Sequence, residues 1–122
     1  MIRAYCPKCK NEFSKNMRFC YNCGKNLQDI FNNKYELYSI GMYALEIEDY
    51  ISAAFWFTEA SKHQYGEAQF QLGVLYENGL GVKINTKNAE YCYKKAAENG
   101  VITASIEFER LLSKKNISIL IV

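Results

Sequence analysis

The chain has 122 residues, of which 49 % are hydrophobic and 23 % charged, and its formal net charge is +2. This profile excludes an intrinsically disordered polyelectrolyte, and it excludes a global field that would draw the chain to nucleic acid or acidic membranes. No run reaches the ~18 apolar residues of a membrane helix, and residues 1–6 are too short and polar to be the apolar core of a signal peptide. Five cysteines, four of them in C-x-x-C pairs, suit a reducing compartment, so the expected location is cytoplasmic.

The first predicted element is a metal-binding ribbon. Tyr5-Cys6-Pro7-Lys8-Cys9 and Phe19-Cys20-Tyr21-Asn22-Cys23 are near-copies, each followed by an apolar residue, Phe13 or Leu27. A C-x-x-C turn aims two thiolates at one point while intervening N–H groups reach the sulfurs. Two such pairs predict one tetrahedral site with Cys6, Cys9, Cys20 and Cys23 as ligands and Zn2+ held structurally. The chain must bend just after each pair, often with positive φ, and Gly24 and Asn11 are the expected bend positions. Four thiolates leave no coordination position for water, which argues against a catalytic metal. An iron centre takes the same ligands, and the spacing does not separate the two metals.

The ribbon is also locally basic. Arg3, Lys8, Lys10, Lys15, Arg18 and Lys25 stand against Glu12 and Asp29. A four-thiolate zinc site adds about −2, so the patch is weak once metal is bound. This leaves two readings. The basic residues balance the anionic cluster, or with Tyr5, Phe19 and Tyr21 they form a nucleic-acid face. The modest charge favours the first.

The linker Leu27-Gln28-Asp29-Ile30-Phe31 has no Gly, Pro or Ser and three large apolar residues. A flexible tether has the opposite composition. Phe13, Leu27, Ile30 and Phe31 are therefore expected to pack the ribbon on the first helix pair. Beyond the linker the pattern predicts helices near 33–46, 50–63, 67–78, 86–99 and 102–115. Asp49 and Asn85 or Thr86 read as N-caps, and Asn78-Gly79 and Asn99-Gly100 as C-terminal signals.

These helices repeat. Ala53–Ser61 aligns with Ala89–Ala97, and Tyr38–Met42 aligns with Phe70–Val74. Ala68, Phe70 and Leu72 reappear as Ala104, Ile106 and Phe108. Self-similarity at this spacing predicts stacked helical hairpins. Gly41 and Gly73 fall mid-helix, where glycine costs about 1 kcal/mol relative to alanine, so a close helix approach is expected there. Trp56, Phe57, Cys92 and Tyr93 are the bulky partners. Cys92 reads as a buried inert thiol, and His63 as a residue at a helix C-terminus rather than a catalytic base.

Residues 67–82 (Glu67-Ala68-Gln69-Phe70-Gln71-Leu72-Gly73-Val74-Leu75-Tyr76-Glu77-Asn78-Gly79-Leu80-Gly81-Val82), with Ala89 and Tyr93–Gly100, resemble the Sel-one-like repeat, a relative of the tetratricopeptide repeat. Residues 33–66 resemble a degenerate copy without the GxGV loop, and 101–115 the first helix of a third, with Glu109 at the expected glycine. The N-terminal part resembles the short zinc-ribbon module at the start of many bacterial proteins. The resemblance implies a mostly α chain. In it a small ribbon precedes a short right-handed α-solenoid of antiparallel helix pairs, about two and a half repeats. It implies protein binding and no catalysis.

The expected organisation is a zinc ribbon at 1–30, helical repeats at 31–116 and an apolar tail at 117–122. The tail either folds back on a helix face or joins a partner's sheet edge or a second copy. The helices are rich in tyrosine: Tyr35, Tyr38, Tyr43, Tyr50, Tyr65, Tyr76, Tyr91 and Tyr93. On repeat logic, Tyr35, Tyr43, Gln69 and Gln71 of the first helices are the expected partner-binding residues. The functional expectation is a non-enzymatic adaptor whose groove takes a protein or peptide. The alternative is a nucleic-acid-binding regulator. The Gly79-Leu80-Gly81 loop lacks the lysine and the preceding strand of a phosphate cradle.

Overall fold

The computed structural model describes residues 1–14 and 16–121, with the side chains of the last helix described through Lys114. Two short strands, β1 (Ala4–Tyr5) and β2 (Glu12–Phe13), pair antiparallel with Ala4 opposite Phe13 and Tyr5 opposite Glu12. Phe19 and Asn26 form a second, single-residue bridge. A 3-10 turn at Ile30–Asn32 leads into five helices: α1 (Lys34–Glu46), α2 (Tyr50–Ser61), α3 (Gly66–Asn78), α4 (Thr86–Glu98) and α5 (Ile102–Ile121). The first four helices lie within two residues of their expected bounds. They pack in antiparallel pairs, each against its neighbours in sequence.

The helix starts are set by local chemistry. Asn33 Oδ1 accepts from the N–H groups of Tyr35 and Glu36 at 3.0 and 3.2 Å. Asp49 Oδ1 accepts from Ser52 N–H at 3.3 Å, and Asn85 Oδ1 from Asn88 N–H at 3.0 Å. Each satisfies a donor that the first helical turn leaves without a partner. Of the two candidates at the start of α4, Asn85 is the cap.

The two mid-helix glycines sit where the pairs touch. A Cβ on Gly41 would lie 2.7 Å from the Phe57 ring, and one on Gly73 would lie 2.8 Å from the Tyr93 ring. The aromatic ring of the second helix fills the space that a side chain on the first would need. This accounts for glycine at a helix-weakening position in both copies.

One continuous core runs from Tyr5, Phe13, Leu27 and Ile30 of the ribbon through Leu37, Ile40 and Phe57 to Leu72 and Leu75. A second cluster joins Ala89, Tyr93 and Leu111. Phe31, expected with Phe13, Leu27 and Ile30 to pack on the first helix pair, stays half exposed while its ring lies 5.4 Å from that of Trp56 in α2.

Helix α5 runs to Ile121, beyond the end near 115 that the pattern predicts, and through most of the run expected to be a separate tail. The side chains of that run, and Val122, lie outside the described residues, as does the expected contact of the tail with a helix face or a partner. No helix among the described residues is long and apolar enough to cross a membrane.

A charge network ties α5 to α3 and α4. Arg110 donates to both carboxylate oxygens of Glu77 at 2.6 and 2.8 Å, and Tyr93 Oη donates to Glu77 Oε1 at 2.8 Å. Burial works to raise the Glu77 carboxyl, but Arg110 and Tyr93 outweigh it and hold the group below its ordinary value. A depressed folded-state carboxyl stabilises above its unfolded pKa, and that contribution is lost as pH falls through the folded value. The Glu77→Gln chain is therefore expected to melt below the wild type at pH 7, with the gap closing at pH 3. Thermal melts at both pH values check this, and an equal gap at both would contradict it.

Candidate metal centre

The four cysteine sulfurs lie within 4.8 Å of one another. Cys6 Sγ is 3.6 Å from Cys23 Sγ, and Cys9 Sγ is 3.5 Å from Cys20 Sγ. A tetrahedron with Zn–S bonds of about 2.3 Å places its sulfurs about 3.8 Å apart. The separations are far beyond the ~2.05 Å of a disulfide, and all five cysteines are free. The donor set therefore fits a tetrahedral thiophilic ion.

The two knuckles share one backbone design. Cys6 N–H donates to Asn11 O and Lys10 N–H to Cys6 O, at 2.8 and 2.9 Å. Cys20 N–H donates to Lys25 O and Gly24 N–H to Cys20 O, both at 2.8 Å. The residue after the second cysteine takes positive φ in each, Lys10 at 72° and Gly24 at 78°. The bend expected at Asn11 thus falls one residue earlier, because the repeat places Lys10 opposite Gly24.

Backbone donors also act on the sulfurs. The Asn11 N–H, helped by the Asn22 side chain, lowers the Cys9 thiol to about 6. The Lys25 N–H likewise lowers Cys23, but desolvation and the adjoining sulfurs push it up to about 11. The adjoining sulfurs oppose ionisation of Cys23, and a divalent cation would remove that conflict.

Residues flanking the ligands fasten the centre to the helices. Tyr5, just before Cys6, donates through its hydroxyl to Asp49 Oδ2 at 2.7 Å, and its ring meets Tyr43 edge-on at 5.1 Å. Lys10 Nζ donates to Ser39 Oγ at 3.1 Å and lies 5.9 Å from the Tyr43 ring centre. Lys25 pairs with Glu36 at 2.5 Å. Arg3 N–H donates to Ser52 Oγ at 2.7 Å, and Trp56 Nε1 donates to Arg3 O at 2.8 Å. Of the six basic residues of the ribbon, Lys10 and Lys25 face α1. Lys8 and Arg18 are exposed, and Arg18 immediately precedes the exposed Phe19. Lys15 lies outside the described residues.

The four residues expected to bind a partner occupy different environments. Tyr35 is 63 % exposed. Gln71 is half-buried and lies near the Tyr38 side chain. Tyr43 lies under Tyr5 and Lys10. Gln69 is only 6 % exposed, and its Oε1 accepts from Asn99 Nδ2 at 2.8 Å, tying α3 to the end of α4. The structure therefore uses Tyr43 and Gln69 within the fold and leaves Tyr35 and Gln71 on a face.

That face also holds groups the repeat logic did not select. Tyr65 sits edge-on to both Tyr35 and Tyr38, at 5.4 and 5.2 Å. Lys34 Nζ is 5.4 Å from the ring centres of Tyr35 and Tyr65. Tyr65 escaped because it lies in the connection before α3, outside the helical period. Of the remaining sequence candidates, Cys92 is buried, and burial pushes its thiol up to about 11. His63 is exposed past the end of α2, with Nε2 3.0 Å from Phe31 O.

A sequence model of the family described as Sel1 repeat matches residues 36–65 and 66–101. Among solved structures the chain is similar to the Sel1 repeat protein from Oxalobacter formigenes, at 28 % identity and a TM-score of 0.64. That alignment covers 73 % of this chain and 38 % of the other, so the chain spans well under half of that protein. No curated protein matches it.

Proposed function

The chain belongs to the Sel1 repeat family, and from that premise we propose that it is a non-enzymatic adaptor whose first helices dock a protein or peptide, with a structural zinc ribbon covering the free end of the stack. Sel1 repeat proteins generally mediate protein–protein interaction. A solenoid buries each repeat only against its neighbours, so the first hairpin needs a cover. In this reading Zn2+ on Cys6, Cys9, Cys20 and Cys23 holds that cover together, and the chain acts in the cytoplasm.

The observation that carries the docking role is the ring cluster of Tyr35, Tyr38 and Tyr65 with Lys34 and Gln71 beside it. Tyrosines offer large contact area at small entropic cost and are enriched where interfaces hold most of their affinity. A second reading rests on Phe19 and Tyr21, exposed on the second knuckle beside Arg18, a combination suited to single-stranded nucleic acid. It is weakened by the engagement of Lys10 and Lys25 with α1.

The test is retention of proteins from a lysate of the source cell on the immobilised zinc-loaded chain, with Tyr35→Glu and Tyr21→Ala as controls. The adaptor reading expects at least one protein retained through nuclease treatment and lost with Tyr35→Glu. Retention abolished by nuclease, by moderate salt and by Tyr21→Ala supports the nucleic-acid reading instead.

A further inference from the structure

We infer that metal occupancy regulates the tyrosine face, because the ligand-bearing knuckles both wall that face and hold the first turn of α2 in place. The regulatory half of this inference rests on the adaptor reading; the coupling between metal and helices stands apart from it.

Two routes connect the centre to the first repeat. One runs along α1. Pro7 and Lys8, which lie between the first two ligands, and Lys25, two residues after the last, share a furrow with Tyr35, Glu36 and Ser39. The Lys25–Glu36 pair and the bond from Lys10 to Ser39 set the distance between that wall and α1. The wall beside Tyr35 is therefore made of residues whose own positions depend on the thiolates converging on an ion.

The other route runs through β1 to α2. Asp49 uses Oδ1 to cap α2 and Oδ2 to accept from Tyr5. Ser52, fully buried, receives the N–H of Arg3, and Trp56, 3 % exposed, donates to the carbonyl of the same residue. Asp49, Ser52 and Trp56, spaced about one turn apart from the cap of α2 onward, thus find their partners in the two positions Arg3 and Tyr5. Tyr5 is bonded directly to the ligand Cys6. If the knuckles open on metal loss, Ser52 and Trp56 keep buried polar groups without partners, and the cap residue loses its outer anchor. The first turn of α2 then opens, with the face that α2 supports through Phe57, whose ring lies 5.7 Å from that of Tyr38.

Linkage makes the coupling reciprocal: whatever metal does for α2, α2 does for metal affinity, by the same factor. That yields a measurement on residues that do not touch the ion. Asp49→Asn and Trp56→Phe, in the full chain, are expected to bind zinc about tenfold more weakly than wild type in equilibrium competition with a colorimetric chelator, within the usual range of such couplings. Glu77→Gln, which loosens the packing of α5 on α3, is expected to leave the affinity unchanged. In wild type stripped of zinc, with metal content verified, the amides of residues 52–57 should exchange faster with deuterium. The emission of Trp56, the only tryptophan, should shift to the red.

Wild-type zinc affinity in both variants, or unchanged exchange and emission on stripping, would overturn the coupling. If the coupling holds but the stripped, immobilised chain still retains through Tyr35 what the loaded chain retains, the regulation is overturned and the adaptor reading survives. If neither form retains any protein, the adaptor reading itself fails.

Discussion

Replacing Cys20 by serine is expected to abolish stoichiometric metal binding and to lower the melting temperature by about 10 °C or more. Cys20 is buried, and its sulfur is 3.5 Å from that of Cys9. A serine hydroxyl stays protonated near neutral pH and is a poor ligand for a thiophilic ion, so the site drops to three donors. Structural zinc contributes about 10–16 kcal/mol of binding in small peptide sites. Much of that is offset by ordering the ribbon, at roughly 1–2 kcal/mol per residue. The remainder reaches the helices through the contacts of Tyr5, Lys10, Lys25 and Arg3. A loss of about 3 kcal/mol would move the midpoint by about 10 °C in a domain of this size. Cys92→Ser is the matched control, since Cys92 is buried but stands in the second repeat. It should keep full metal content and lose far less stability. Metal analysis and calorimetry on both chains decide the matter, and unchanged metal content with an unchanged midpoint in Cys20→Ser would refute the assignment.

The features legible in the sequence are those with a strict geometric period. Ligand spacing brings four sulfurs together because a C-x-x-C turn has few conformations. The recurrence of Gly41 and Gly73 reports close helix pairs because a Cβ at either position would strike Phe57 or Tyr93. What escaped depends on where whole elements come to rest. Gln69 looks like a surface amide on a helix, yet the end of α4 at Asn99 folds over it. Tyr43 occupies an outward position of α1, and only the arrival of Tyr5 and Lys10 covers it. Tyr65 carries no helical period, so its place between Tyr35 and Tyr38 appears only when α3 is packed on α2. The bend at Lys10 was hidden for a different reason. Lysine has no intrinsic preference for positive φ, and the knuckle hydrogen bonds impose it. Features set by local turns, such as the convergence of the four sulfurs, were thus readable, whereas those set by contact between ribbon and repeat were not.

The loop between α3 and α4 extends this to a second large effect. Gly81→Ala is expected to destabilise the chain by about 3 kcal/mol, against about 1 kcal/mol for Gly100→Ala. Both glycines have positive φ, 72° and 97°, so alanine meets a left-handed backbone penalty of roughly 1–2 kcal/mol at either. The surroundings separate them. Around Gly100 a Cβ meets nothing within 4 Å, whereas at Gly81 it would collide with the carbonyl of Tyr50 and the amide of Ile51. Backbone at the start of a capped helix cannot swing aside as a side-chain tip can, so a packing cost of about 1–3 kcal/mol is added. The GxG sequence therefore serves as a clasp between repeats, pressing the second repeat's loop on the first turn of α2. That turn is the one to which Arg3 and Tyr5 are bonded, so prying the loop outward should loosen the ribbon as well. Denaturant midpoints of the two variants measure the difference, and zinc release from Gly81→Ala measures its reach. Equal destabilisation in both variants would show that the close approach carries no energy of its own.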